Sequence, residues 1–475
     1  MDSKEPTIFE KDIEEPIDKV STAAERIIVR RLDYLYVMPF IAMISFLQFL
    51  DTLTINYASV LGILSDTNTT NDQFGFVGSV LYIGALIAQI PTAFFIHKFP
   101  PKKCLGVLVI LWGSVLMLIS LAKSYSHLVV LRFVLGLFET SANPCCVMIV
   151  NRMYRRNEQA GRVNFIVLGS ALALTFGGLI GYGIGHMNDV RGIHSWQWLM
   201  IILGSFTVLW GILLLFFMVD DPKSKTLGLT PEQEKIVDLR ILDNAVVVSK
   251  KINYDQIKEC LKEPRYYCYV LVSIFTNLQT GSLQTFSSII ISNFGYSGLD
   301  AILLGIPSGV MKILFSVVGA WFVGRYGHLH YTMFATHTTT SLGILLLITI
   351  PVNKAKLVGL YLAMISGFGM TLIFTTITNN VAGYTKKIFY VSSAVASITT
   401  GKLIGPLLMV DSQKPVYLGA MITYIVLDSI SILLLWVCRH NMSKINAKRL
   451  NNPTDEMSDK EDPTDVENHN YIYKL

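Results

Sequence analysis

The chain has 475 residues, of which 52% are hydrophobic and only 15% are charged, with a mean hydropathy of +0.49. Soluble proteins carry about 25% Asp, Glu, Lys and Arg, and a soluble chain of this length would need far more polar cover. A disordered chain would hold far fewer aliphatic residues. What remains is a polytopic membrane protein, so each further question becomes where the few charges sit.

A charged tail comes first, over residues 1–33, with six basic and nine acidic side chains. The apolar stretch that follows it is therefore not a secretory signal peptide. Twelve apolar stretches then run at about 34–57, 74–96, 104–122, 127–150, 163–185, 198–219, 266–292, 299–323, 331–351, 356–378, 387–410 and 414–438. Each is long enough to cross a hydrocarbon core of about 30 Å as a helix. Lipid offers no partner to an open sheet edge, and the alternation of a membrane β-barrel is missing from the sequence. The expected fold is all-α, with twelve spans.

The loops that follow even-numbered spans hold 19 Lys and Arg up to span 11, against 5 in the alternate loops. By the positive-inside rule the first set is cytoplasmic, as are both termini. Asn68-Thr69-Thr70 is then a glycosylation sequon in the first outward loop, with Asn68 the acceptor. Asn441-Met442-Ser443 also matches the pattern but faces the cytosol in this topology. The net charge of +5 divides into −3 on the first tail, −1 from Arg439 onward and +9 on the rest. That distribution is membrane orientation and requires no nucleic-acid partner. Both tails read as short, polar and disordered.

The loop at 220–265 divides the spans six and six. The expected organisation is a tail at 1–33, a bundle at 34–219, a linker at 220–265, a bundle at 266–438 and a tail at 439–475. In the linker, Thr230-Pro231-Glu232-Gln233 forms a capping box with Pro at the first helical position, which predicts a surface helix. Gly177-Gly178-Leu179-Ile180-Gly181 in span 5 matches Gly401-Lys402-Leu403-Ile404-Gly405 in span 11 at four of five positions. The match fits an internally duplicated transporter; close helix approach is the plainer use of such glycines.

Six cysteines (Cys104, Cys145, Cys146, Cys260, Cys268 and Cys438) fall toward the reducing cytoplasmic side without metal-ligand spacing, so neither disulfides nor a metal is expected. There is no phosphate-binding loop, no HExxH and no Ser/His/Asp arrangement on a soluble surface. An ATP-driven pump and an enzyme are thereby disfavoured, and no cofactor is called for.

A charge at membrane depth costs about 2.5–3.5 kcal/mol even on a lenient scale. Span 1 carries Asp51; span 4 carries Arg132 and Glu139, seven residues apart on one face. Span 8 has Lys312, span 11 Lys402 and span 12 Asp428. One reading is a proton relay beside a substrate-binding cavity; the other is static pairing, for example Arg132 with Asp51. Two acids and one base leave a carboxylate free to titrate. Either lysine could bind an anion or pair with an acid. Asp428 reads as a packing or pairing residue, and His330 and His337 as packing on one face of span 9. Trp196 and Trp198 read as interface anchors.

Several segments resemble the fungal allantoate permease family, the anion:cation symporter branch of the major facilitator superfamily. They are Phe49-Leu50-Asp51 and Asn56-Tyr57-Ala58-Ser59-Val60, then Leu131-Arg132-Phe133 to Gly136-Leu137-Phe138-Glu139. Met153 to Gln159, Ser195-Trp196-Gln197-Trp198-Leu199, Asn380-Val381-Ala382-Gly383-Tyr384-Thr385-Lys386-Lys387 and Ile404-Gly405-Pro406 follow in order. Together they cover about 30–440. The resemblance implies two six-helix bundles, alternating access and proton-coupled uptake of a small organic anion or vitamin-like solute. It implies Asp51 and Glu139 as proton-coupling acids, with Arg132 beside them.

There are departures from the family pattern. Relatives carry Arg or Lys where this chain has Thr52, and often Asn where it has Thr280 and Lys402; the polar stretch of span 5 becomes Ile166-Val167-Leu168-Gly169-Ser170-Ala171. The substrate-pairing charge is therefore expected at Lys402 or Lys312, with Thr52, Thr280 and Asn380 as further contacts. The partners implied are a small-molecule substrate, protons and the lipid bilayer, with the chain working as a monomer. The plasma membrane is the expected location, with an internal membrane as the alternative. A non-transporting nutrient sensor that keeps the fold is the rival function.

Overall fold

The computed structural model describes residues 22–244, 253–451 and 462–475; expectations for 1–21 and 452–461 lie outside them. Two bundles of six long helices make up the molecule, and no strand occurs among the described residues. In the first bundle the spans are Met38–Val60, Asn71–Lys98, Pro101–Ile119, a two-piece span 4 (Tyr125–Glu139 and Ala142–Met153), Arg156–Gly185 and Ser195–Phe217. In the second they are Pro264–Asn293, Ile306–Tyr326, Leu329–Thr349, a broken span 10 (Asn353–Ala363 and Gly367–Asn380), Tyr384–Ile404 and Leu418–Asn451.

Nine of the described helices are long and apolar enough to cross a membrane on composition alone. Span 7 falls short for a physical reason. Between Ser273 and Ser288 it carries ten Ser, Thr, Asn and Gln residues, all buried. The hydroxyls of Ser273, Thr276, Thr280, Ser282 and Thr285 donate to carbonyls four residues back at 2.7–3.0 Å. Such back-bonding lets a polar face exist without stranded donors. Span 7 packs against spans 1, 10, 11 and 12, so this face lies inside the protein and along the seam between bundles.

The glycine repeat occupies equivalent places in the two halves. Span 5 lies on span 1, and a Cβ at Gly181 would stand 2.9 Å from the Tyr57 ring. Span 11 lies on span 7, and a Cβ at Gly405 would stand 2.1 Å from the carbonyl oxygen of Leu278. The fifth span of each half thus approaches the first through its glycines.

Ion networks bind the cytoplasmic rims. Under the first bundle, the linker helix Pro231–Asn244 begins at Thr230, whose main-chain N–H donates to Gln233 Oε1 at 3.1 Å while Gln233 N donates back to Thr230 Oγ1 at 3.3 Å. Arg240 on this helix bridges Glu25 (2.5 Å) and Glu158 (2.6 Å), and Arg162 pairs with Asp33 at 3.0 Å. Trp196 is no interface anchor: it is buried, and its indole N–H donates to Asp66 Oδ2 at 2.6 Å, tying span 6 to the first outward loop.

The second rim corrects the expectation of a disordered tail. Span 12 continues to Asn451, and residues 462–475 fold back beneath the second bundle. Asp465 is completely buried and pairs with Arg265 and with Lys386 (2.9 Å), while Tyr473 Oη donates to it at 2.8 Å. Asn446 Nδ2 donates to the Tyr473 carbonyl at 2.8 Å. Composition marks this segment as polar, but it does not show that Lys386 sits buried at the end of span 11, with Arg265 partly buried at the end of span 7, and that both require anions. Glu263 also meets both cations. Burial alone would push the Asp465 carboxyl upward, yet the charges of Arg265 and Lys386 hold it below its ordinary value.

Removing one partner of a buried ion cluster costs about 3–5 kcal/mol. Asp465→Ala is therefore expected to lower the Tm of the detergent-solubilised protein clearly below that of the parent. Because the native carboxyl is depressed, its contribution is present above the unfolded value near pH ~3.9 and fades as pH falls through the folded value. Thermal unfolding at neutral pH and below pH ~4 checks both points.

Candidate functional site

Two broken helices frame the centre of the molecule. In span 4, Pro144 has no N–H to return to the Thr140 carbonyl, and the helix interrupts at Thr140–Ser141. The two hydroxyls turn back to the carbonyls of Gly136 (2.9 Å) and Leu137 (3.2 Å). Glu139 is the last residue of the outer piece. Gln48 of span 1 donates Nε2 to the Glu139 main-chain oxygen at 3.1 Å. Span 10 repeats the device with a single tight turn at Met364–Ser366. There Gln279 of span 7 donates Nε2 to the Ala363 carbonyl at 3.1 Å. The first span of each half therefore supports a break in the fourth. Discontinuous helices are where transporters place polar groups at membrane depth.

Asp51, Arg132 and Glu139 are all buried, at 2%, 1% and 3% exposure. Trp112 of span 3 donates its indole N–H to Asp51 Oδ2 at 2.6 Å. Asp51 Oδ1, Glu139 Oε2 and Arg132 Nε and Nη2 have no hydrogen-bond partner. The Arg132–Asp51 contact pair considered from the sequence is not formed, although Arg132 lies in the field of both acids. Lys402 in turn lies in the field of Glu139, and Lys312 in that of Lys402.

Both lysines reach from the second bundle to aromatic rings of the first. Lys312 Nζ lies 5.2 Å from the Phe49 centroid and Lys402 Nζ 5.8 Å from that of Tyr82. Between the bundles is a small cavity. Its walls include Phe49 and Asn56 from span 1, Thr280, Gln284 and Ser287 from span 7, Ser308 and Lys312 from span 8, and Ser366 from span 10. Lys312 is the sole charged residue among these lining groups. Thr280 Oγ1 lies 3.0 Å from Ser366 Oγ, and Gln284 Oε1 has no hydrogen-bond partner.

The candidates named from sequence thus divide. Lys312 and Thr280 line the cavity; Lys402 does not, standing instead toward Glu139. Thr52 is half-buried, outside the lining, and its hydroxyl donates to the Gln48 carbonyl of its own helix at 3.2 Å. Asn380 is corrected outright as a cavity contact. It is fully buried at the cytoplasmic end of span 10, where both ends of its amide bond the main chain of Lys474 (2.9 and 2.7 Å). Asp428 hydrogen-bonds His337 Nδ1 at 2.8 Å within the second bundle, away from the cavity. His330 is buried without a partner. Asn68 is exposed, with φ 50° in the first outward loop. The side chains at 163–168, including part of the altered span 5 stretch, lie outside those described.

The hydrogen bonds between bundles are one-sided. Asn56 bonds span 7, Asn71 Nδ2 donates to Asp411 Oδ1 (2.8 Å), and Asp411 N donates to Asp72 Oδ1 (2.7 Å), all in the outer half. Among the described residues, the one other direct hydrogen bond is Gln89 to Thr399, at 3.5 Å. Among the described residues, the seam is thus clasped mainly in its outer half, the side that must be shut for the centre to face the cytoplasm.

Residues 41–410 match the family model of the Major Facilitator Superfamily. The chain belongs to that superfamily. An uncharacterized transporter of Schizosaccharomyces pombe is 30% identical, over 93% of this chain and 90% of its own. The allantoate permease of Saccharomyces cerevisiae is 29% identical, over 96% and 88%. Among solved structures, an inward-facing, occupied bacterial homolog of the human lysosomal transporter Spinster superposes with a TM-score of 0.66. At 13% identity over 85% of this chain and 96% of that one, it supports the fold alone. This superfamily member is therefore an integral, multi-pass membrane transporter and not an enzyme.

Sequence reasoning missed Trp112, Gln48, Gln279 and Gly367. The only signal for the glutamines was their polarity within apolar or mixed spans. Gly367 matters by what it lacks: a Cβ there would stand 3.0 Å from Lys312 Nζ and Cε. Gly367→Val is expected to displace the Lys312 ammonium from its place 5.2 Å from the Phe49 ring and to lower uptake. Uptake normalised to the amount of protein in the membrane checks it.

Proposed function

We propose that this transporter is a proton symporter for a small organic anion, working by alternating access. One observation carries the reading: the centre of the protein holds three cationic side chains and two acids, and the acids make no contact ion pair. With all five ionised, the group carries a surplus of one positive charge, which a monoanion balances. Each proton taken up by Asp51 or Glu139 adds a further positive charge and strengthens anion binding. By linkage, a bound anion then strengthens proton binding to the same degree. Lys312 is the group that meets the anion in the cavity, beside the hydroxyls of Thr280 and Ser366; Lys402 communicates between the anion and Glu139.

Membership of the superfamily and likeness to a permease named for allantoate support a small polar or anionic solute. The cavity's mixed hydroxyl and amide lining suits a carboxylate that carries further hydrogen-bonding groups. We place the transporter at the plasma membrane, with Asn68 as a glycan acceptor on its outer face.

A radiolabelled uptake screen over small carboxylates, sulfonates and vitamins, run at two pH values, identifies the substrate. Parent uptake is expected to rise as pH falls. Glu139→Gln should flatten that pH dependence, whereas Lys312→Gln should reduce affinity for the anion while leaving the pH profile in place. Retained pH dependence in both Glu139→Gln and Asp51→Asn would remove the coupling assignment. Unchanged uptake in both Lys312→Gln and Lys402→Asn would remove the anion-pairing role.

A further inference from the structure

Among the described residues, the outer seam has one place where a side chain of one bundle bonds the main chain of the other inside the membrane. Asn56 on span 1 is 2% exposed. Its Nδ2 donates to Ser287 Oγ at 2.8 Å, and its Oδ1 accepts from the main-chain N–H of Ser288 at 2.9 Å. A mid-helix N–H ordinarily points to the carbonyl four residues back; that of Ser288 reaches the opposite bundle. Both ends of one amide are thus committed to span 7.

The same three residues, Asn56, Ser287 and Ser288, are walls of the central cavity. The bond that closes the outer seam is therefore also part of the cavity wall. Asn71, Asp72 and Asp411 close the seam further out, in the loops. Among the described residues, the corresponding cytoplasmic side has no main-chain bond of this kind across the seam. Opening toward the outside must part span 1 from span 7 and break both Asn56 bonds. Water replaces them once the seam is wet, so their net effect is a modest bias and not a permanent lock.

We propose that Asn56 is the outer latch of the transport cycle: its two bonds to span 7 bias the protein toward the inward-facing state. Because its partners form the cavity wall, an occupant of the cavity acts directly on the latch. The role of Asn56 is positional. It rests only on the chain being an alternating-access transporter, and it holds whether or not protons are coupled and whatever the substrate.

The test uses two reporter positions. Ser288→Cys keeps the main-chain donor and places a thiol just inside the outer seam; Gln89→Cys places one on the cytoplasmic half of span 2, facing Thr399 of span 11. A membrane-impermeant maleimide is applied to intact cells for the first reporter and to inside-out vesicles for the second, with the parent chain as background. Adding Asn56→Ala is expected to speed outside labelling of the Ser288→Cys reporter about tenfold, a shift of about 1.4 kcal/mol. It should slow cytoplasmic labelling of the Gln89→Cys reporter. A residue that merely braces the fold would speed both reactions, and that outcome overturns the proposal. Unchanged labelling at the outer reporter overturns it equally. If Asn56→Ala does not reach the membrane, Ser287→Ala removes one of the two bonds and should give a smaller rise in the same direction; no rise there also contradicts the latch.

Discussion

Hydrocarbon supplies no hydrogen bonds, so every polar atom carried into the bilayer must find its partner within the protein. The architecture of this transporter follows from how it meets that constraint along span 7. A helix with ten buried polar residues between Ser273 and Ser288 is unfit to face lipid. It is suited to a seam between two bundles, where its hydroxyls can bond their own helix, the opposite bundle or a solute. The cavity, the outer clasp and the support for the broken span 10 all use residues of this one helix.

The duplicated plan is more visible in hydrogen bonding than in residue identity. Gln48 and Gln279 come from the first spans of their halves, and each takes a carbonyl at a break in the fourth span, at the same 3.1 Å. The sequences at the breaks have little in common: Thr140-Ser141 before a proline in one, Met364 to Ser366 before a glycine in the other. What is shared is the physical problem of an interrupted helix in a dry interior and its solution with a long amide. The two halves then diverge in chemistry. The first keeps the acids and Arg132, and the second contributes the lysines that reach back to Phe49 and Tyr82.

Much of the fold was legible beforehand, because the length of an apolar stretch and the placement of Lys and Arg are direct consequences of the bilayer. Asp51, Glu139 and Arg132 were legible for the same reason, since a charge at depth stands out against its surroundings. Asn380 was misread: its position in a recognisable segment suggested a solute contact, whereas its amide is consumed by the main chain of Lys474. Residues 462–475 were misread because composition reports polarity and not the buried cations that await it. Gly367 and Trp112 were invisible to a linear reading. One acts by leaving room for Lys312, the other by a single indole bond to Asp51, and neither leaves a pattern along the chain.

The central claim is that protons and anion bind to one charge group and favour each other. The most direct measurement is proton uptake by the purified transporter in weak buffer when its anionic substrate is added, followed with a pH indicator. Linkage requires that the solution turn more alkaline as the anion binds, and that the signal vanish in Glu139→Gln. Binding of the anion with no proton taken up, at any pH across the range in which transport changes, would contradict it.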